Sequence, residues 1–163
     1  MQRQKATTSG EAAMDNKIKV LVPMDFSRYS QETIDFALKL RQWADPEYCL
    51  LHVVVHDDFN NFAAEIPPLP PSLQKRIGEA SEELDREVNR LKKDNPGLHM
   101  VGRVVSGFPF KEICRIAEED YFQLIVIGTH GRTGLAHLLI GSTAERVVQH
   151  APCPVLSIKP RVL

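Results

Sequence analysis

Leu124-Ile125-Val126-Ile127-Gly128-Thr129-His130-Gly131, then nine residues, then Gly141-Ser142-Thr143, is the stretch around which the rest of the chain can be ordered. An apolar run reads as a buried strand. It empties into glycines, and Ser142 opens a helix-like segment. A strand, a glycine turn and a helix start in that order make the place where a parallel α/β fold can hold a phosphate. Gly128 and Gly131 let backbone N–H groups approach an anion with no Cβ in the way, and Gly141 does the same at the helix entrance. Ser142 reads as the N-cap, with Glu145 three residues on completing a capping box. Ser142 and Thr143 can add hydroxyl donors. The spacing matches neither G-x-x-x-x-G-K-[ST] nor G-x-G-x-x-G. On these residues alone, two turns and a helix cap explain the stretch as well as a phosphate does.

Working outward, the segments alternate. Lys17 to Met24 is a short apolar run ended by Pro23, and Asp25-Phe26-Ser27 makes a turn with Ser27 as N-cap. A helix is expected from Arg28 to about Ala44, stopped by Asp45-Pro46. Tyr48 to Val55 is a second buried strand. Asp57 to Pro71, with four prolines, is a connector. Ser72 to Asn95 is the longest helix, its apolar residues stepping by three or four from Leu73 to Leu91; a coiled coil is the rival reading of that pattern. Leu98 to Ser106 is a third strand, Pro109 sits where a helix would begin, and that helix runs to Asp120. After the glycine stretch come a helix from Ser142 to His150 and a fifth strand, Val155 to Ile158. Strict alternation of this kind implies one doubly wound α/β domain over residues 17–163, a five-stranded parallel sheet of expected order 3-2-1-4-5 with helices on both faces. Residues 1–16 are polar and read as a mobile tail.

Composition narrows the function. The 163 residues suit one domain with a sizeable core, and the formal net charge of −1 supplies no global field for nucleic acid or acidic lipid. No apolar run approaches a membrane span, and the tail lacks the apolar core of a secretory signal. Cys49, Cys114 and Cys153 form no CxxC or zinc-spaced set and read as reduced thiols, which points to the cytoplasm. Nor is there an HExxH, a GxSxG or a triad context for any histidine.

The stretch from Ile125 to Lys159 closely resembles the universal stress protein family, whose ATP-binding pattern is Gly128-x2-Gly131-x9-Gly141-Ser142. VLVPMDFS (20–27), LLHVV (50–54) and SGFPFKEI (106–113) resemble the family's first strand and turn, second strand and Gly-x-Pro turn, so the likeness spans about residues 17 to 159 in order. The resemblance implies that Pro23, Met24 and Asp25 border adenine and ribose, and that Val53 meets the adenine. It places Ile127 and Gly128 under the ribose and α-phosphate, with Gly131, Gly141, Ser142 and Thr143 on the phosphates. His130 could reach a phosphate or metal, or be a turn residue facing water. Arg132 could pair with the γ-phosphate or be a loop arginine. The ligand implied is ATP, with magnesium or manganese as the candidate accompanying ion, and the partner implied is a second copy joined through strand 155–158. The expected role is a nucleotide-responsive regulatory module in stress response with an unidentified protein partner. A slow ATPase or self-phosphorylating enzyme and a nucleotide-independent, chaperone-like protein are the alternatives; no general base stands out, and no residue is assigned a catalytic role.

Overall fold

A computed structural model describes residues 17–56, 69–129 and 141–159. Five strands, β1 (Lys17–Pro23), β2 (Asp45–Val55), β3 (Met100–Gly107), β4 (Leu124–Gly128) and β5 (Val155–Ile158), pair in the order β3-β2-β1-β4-β5, all parallel. Between them run α1 (Arg28–Leu38), α2 (Pro71–Asp94), α3 (Pro109–Glu119) and α4 (Ser142–His150).

Strand alternation divides the core into two layers. Val20, Val22, Leu50 and Val126 face α1 and α2, where they meet Ile34, Ala37, Leu84 and Val88. Leu21, Leu51, Ile125 and Ile127 face α3 and α4, where they meet Ile113, Ile116 and Val147. Helices therefore cover both faces, and strands one and four carry near-continuous apolar runs because neither of their faces is wet. Each such side chain, fully removed from water, contributes about 1.5–3 kcal/mol relative to exposure. Leu73, Ala80, Leu84, Val88 and Leu91 form the buried stripe of α2. Its long apolar repeat thus serves a sheet and not a coiled-coil partner.

Three boundaries differ from the expected ones. The first helix gives way after Leu38 to a 3₁₀ turn, Lys39–Gln42, and the N–H groups of Trp43 and Ala44 both end on the Leu40 carbonyl. Sharing one acceptor stops the helical ladder before Ala44. β2 starts at Asp45, three residues early, because Pro46 pairs with Ile18 at the strand's beginning, where a missing N–H is tolerated. β3 starts at Met100: the Asn95–Gly97 turn, with Gly97 at φ +75°, delays it, while the His99 carbonyl already accepts the Tyr48 N–H at 2.9 Å. The other boundaries agree within a residue or two. Pro109 is the first residue of α3, and Ser27 caps α1, its Oγ accepting from the Ser30 N–H at 3.3 Å.

Candidate functional site

β1 lies between two halves of the sheet: the chain winds outward from it to β2 and β3, then returns to place β4 and β5 on its other side. At that reversal the connections leave in opposite directions and open a crevice above the strands' carboxyl ends. Here it is a cleft of about 850 Å³.

The exit from β1 is a tight, self-bonded turn. Met24 N–H donates to the Leu51 carbonyl at 2.8 Å, carrying the β1–β2 pairing one residue past the strand. Asp25 N–H then donates to Ser30 Oγ (3.0 Å), and Asp25 Oδ1 accepts from Ser30 Oγ (2.7 Å) and from Ser27 N–H (3.1 Å). The chain between them turns through Phe26 at φ +61°, a left-handed conformation that costs an aromatic residue about 1–3 kcal/mol and is found where a site needs it. Asp25 is thereby fixed in the cleft wall with its charge already engaged by two donors.

β2 contributes Val53 and His52 from opposite sides of the strand. His52 Nδ1 lies 3.0 Å from the Met24 carbonyl, so that nitrogen carries the proton and donates. Its ring packs on Phe26, centroids 4.5 Å apart. From α2, Arg76 Nη2 donates to the Val55 carbonyl at 3.2 Å. Among the described residues lining the cleft, Arg76 is the only lysine or arginine.

On the other side, β4 delivers Ile127, Gly128 and Thr129. Thr129 N–H donates to the Ile158 carbonyl (2.9 Å), and its own carbonyl accepts from Gly141 N–H (2.7 Å). The ends of the intervening segment are therefore joined by one backbone hydrogen bond. A Cβ on Gly141 would stand 3.2 Å from the Thr129 carbonyl oxygen, tighter than side chains normally tolerate, so the close approach calls for glycine.

The capping expectation needs correction here. Gly141, at φ −58° and ψ 144°, is itself the N-cap and has no side chain to cap with, and Ser142 is the first helical residue. Glu145 N–H bonds to the Gly141 carbonyl as the first helical bond, so Ser142 and Glu145 form no capping box. The extended backbone of Gly141 takes the half-in position one residue earlier than the serine suggested. The consequence is a first turn that lines the cleft at the positive end of the helix dipole, with no side-chain acceptor from its own N-cap residue.

Of the twelve residues picked out from the sequence, Pro23, Met24, Asp25, Val53, Ile127 and Gly128 line this one cleft, as do Gly141, Ser142 and Thr143. His130, Gly131 and Arg132 lie outside the described residues. Residues the sequence did not single out are Phe26 and His52, the α2 stripe of Arg76, Glu79 and Glu83, and Pro109 and Ile113 of α3. The stripe had a signal, the i, i+3, i+7 spacing, but every amphipathic helix has a polar face, and only the topology tells which polar residues overlook the strand ends. Among the described residues no group of three histidine, cysteine or carboxylate side chains could hold a metal, and no helix is long and apolar enough to cross a membrane.

An open α/β sheet carries a crevice at its strand-order reversal, the place where folds of this class hold their ligands. The universal stress protein family model matches residues 18–159, and the chain belongs to that family. It is 33% identical over 141 residues to a universal stress protein of Methanocaldococcus jannaschii, covering 86% of this chain and 81% of that one. Among solved structures, the universal stress protein UspA from Lactobacillus plantarum superposes with a TM-score of 0.70 at 25% identity, covering 86% of this chain and 97% of that one. A universal stress family protein from Arabidopsis thaliana with AMP bound superposes with a TM-score of 0.59 at 22% identity, covering 89% and 93%.

Proposed function

We propose that the cleft binds an adenine nucleotide, ATP, and that the chain acts as a nucleotide-responsive regulatory module in stress response. The observation that carries this reading is the convergence of all nine described candidate residues on one cleft whose far wall is the glycine-capped N-terminus of α4. The two ends of the cleft differ in charge character. Asp25, fixed at the end of β1, repels a phosphate, whereas the first turn of α4, with Gly128 and the Ser142 and Thr143 hydroxyls, attracts one. β2 and β4 are separated by one strand, so Val53 and Gly128 stand about 10 Å apart. That span suits a nucleoside laid across β1 with its base by Val53 and its phosphates toward α4. The Arabidopsis relative with AMP bound supports the ligand class.

A magnesium or manganese ion would come with the phosphates, since the described side chains build no cage for it; the Ser142 and Thr143 hydroxyls could serve as oxygen ligands beside them. The module would work as a pair of chains joined through β5, an edge strand.

Mass spectrometry of denatured, freshly purified protein should release ATP, and calorimetric titration with ATP should saturate at one per chain. Replacing Thr143 by Val should weaken that binding about tenfold, the worth of one hydrogen bond to a charged group. If no nucleotide is released and titration gives no saturable heat, the reading is wrong.

A further inference from the structure

The cleft is wider than the path just proposed for the nucleotide. Its lining divides at the sheet. Val53, Ile113 and Ile127 belong to the α3/α4 layer. Phe26, Val54 and Ala80 belong to the packing of α1 and α2 on the opposite face, and His52, two residues before Val54 in β2, lies on that face with them. A nucleotide running from Val53 to α4 leaves this second side uncovered.

The second side has its own chemistry. The Phe26 and His52 rings form a packed aromatic pair, centroids 4.5 Å apart and tilted 44° to each other, with His52 held in place by its bond to the Met24 carbonyl. Above it stands the stripe of Arg76, Glu79 and Glu83 on α2, three and four residues apart and so on one helix face. Arg76 is tied to the Val55 carbonyl at the junction of the two sides. Glu79 meets Lys75 at 3.7 Å with both side chains largely exposed, a weak pair that leaves its carboxylate able to accept from a ligand.

These features select among ligand classes. A second phosphate would meet Arg76 but also both Glu79 and Glu83, a net repulsion of two carboxylates against one guanidinium. An aliphatic group would cover the carboxylates without satisfying them. A flat ring carrying N–H donors on its edge satisfies both parts: its face stacks on Phe26 and His52, and its edge donates to the carboxylates. Nucleobases have that form, an aromatic face with an exocyclic amine at the rim.

We propose that the α2 side of the cleft is a second base subsite, and that the class of ligand filling the whole cleft is a dinucleoside polyphosphate. One base lies by Val53, the phosphates lie at the entrance to α4, and the second base lies on Phe26 and His52 beneath Glu79 and Glu83. The inference rests on the nucleotide reading above and extends it.

Calorimetric titration of the full chain with ATP and with diadenosine tetraphosphate tests it. The second ligand should bind about a hundredfold more tightly, about tenfold from one added base stacked on aromatic side chains and about tenfold from its edge amine donating to the carboxylates. In the double variant Glu79→Ala, Glu83→Ala the gain should fall to about tenfold while ATP affinity stays within about twofold, because the two carboxylates are remote from the phosphates and alanine suits an exposed helix position. Equal affinity of the two ligands for the wild type overturns the subsite, as does a gain undiminished in the double variant. ATP binding without the gain removes the subsite alone. Binding of neither ligand removes the nucleotide reading and the subsite with it.

Discussion

Cys49 sits in the middle of β2 with its side chain among Leu21, Leu51 and Ile116, and burial pushes its thiol up to about 11. A nearby Arg103 works weakly the other way, so desolvation is the governing cause. An unfolded chain exposes this thiol at its ordinary value of 9.0. Between those two values the unfolded state has lost the proton that the folded state keeps, so stability is whole below about pH 9 and falls as pH rises toward 11. The loss attributable to Cys49 is about 2–3 kcal/mol over that interval. Tyr48, also raised by burial, adds to the loss in the same direction. Urea unfolding at pH 8 and pH 10.5 should therefore show the wild type losing more stability than Cys49→Ala; equal losses would mean that Cys49 ionises while folded. At this same scale lies the reason Ser142 misleads as a cap. Serine and glycine both serve at helix entrances, and the choice between them depends on one backbone angle at Gly141 that neither side chain announces.

The elements were the most legible level, and the reason is visible in α2 and β3. Leu84 and Val88 repeat at helical spacing because they meet a flat sheet surface, so their period could be read without knowing their neighbours. What they touch could not. Gly102, in the middle of β3, has no signal of its own in the sequence, yet a Cβ there would fall 3.0 Å from Leu84 Cγ and 3.3 Å from Val88 Cγ2. α2 lies directly on the strand at that point. Gly102→Ala should therefore destabilise the fold by about 1–3 kcal/mol, the usual cost of overpacking, and Leu84→Ala by about 2–5 kcal/mol, through the cavity it leaves. The two combined should cost less than their sum, since the cavity accepts the added methyl group. A denaturant series on the four proteins measures the coupling, and strict additivity would show that α2 does not rest on Gly102. The same distinction between period and partner explains the candidate site. Asp25 and the glycine turn were readable from their position after strands one and four, whereas Pro23, Met24, Val53 and Ile127 came only from the family resemblance. Arg76, Glu79 and Glu83 were readable from neither, because a polar helix face reads as solvated until the helix is placed over a cleft.

At the scale of the molecule, β3 and β5 are the two edges of the sheet. The carbonyls of Pro154, just before β5, and of Ile158 point inward to β4, accepting from Ile125 and Thr129 at 3.0 and 2.9 Å. By the alternation of a strand, the backbone groups of Val155 and Ser157 point outward. In the proposed dimer those outward groups join the two chains. Ser157→Pro removes an outward donor and no bond to β4. Light scattering should find the wild type as a dimer and Ser157→Pro as a folded monomer; a dimeric proline variant would place the contact elsewhere.

The position of β1 between the two halves of the sheet bears on the order in which the molecule is made. The chain emerges from the ribosome with β1, β2 and β3 first, enough for one contiguous half of the sheet by residue 107. The other flank of β1 stays unpaired until β4 is synthesised, starting at residue 124, and α4 follows only from residue 142. Vectorial synthesis thus presents a half-sheet with an apolar open flank before the second half arrives to close it. Because the cleft takes one wall from each half, its lining is incomplete until the first turn of α4 has appeared. In the proposed reading, capture of the nucleotide then reports that both halves of the sheet and α4 have formed.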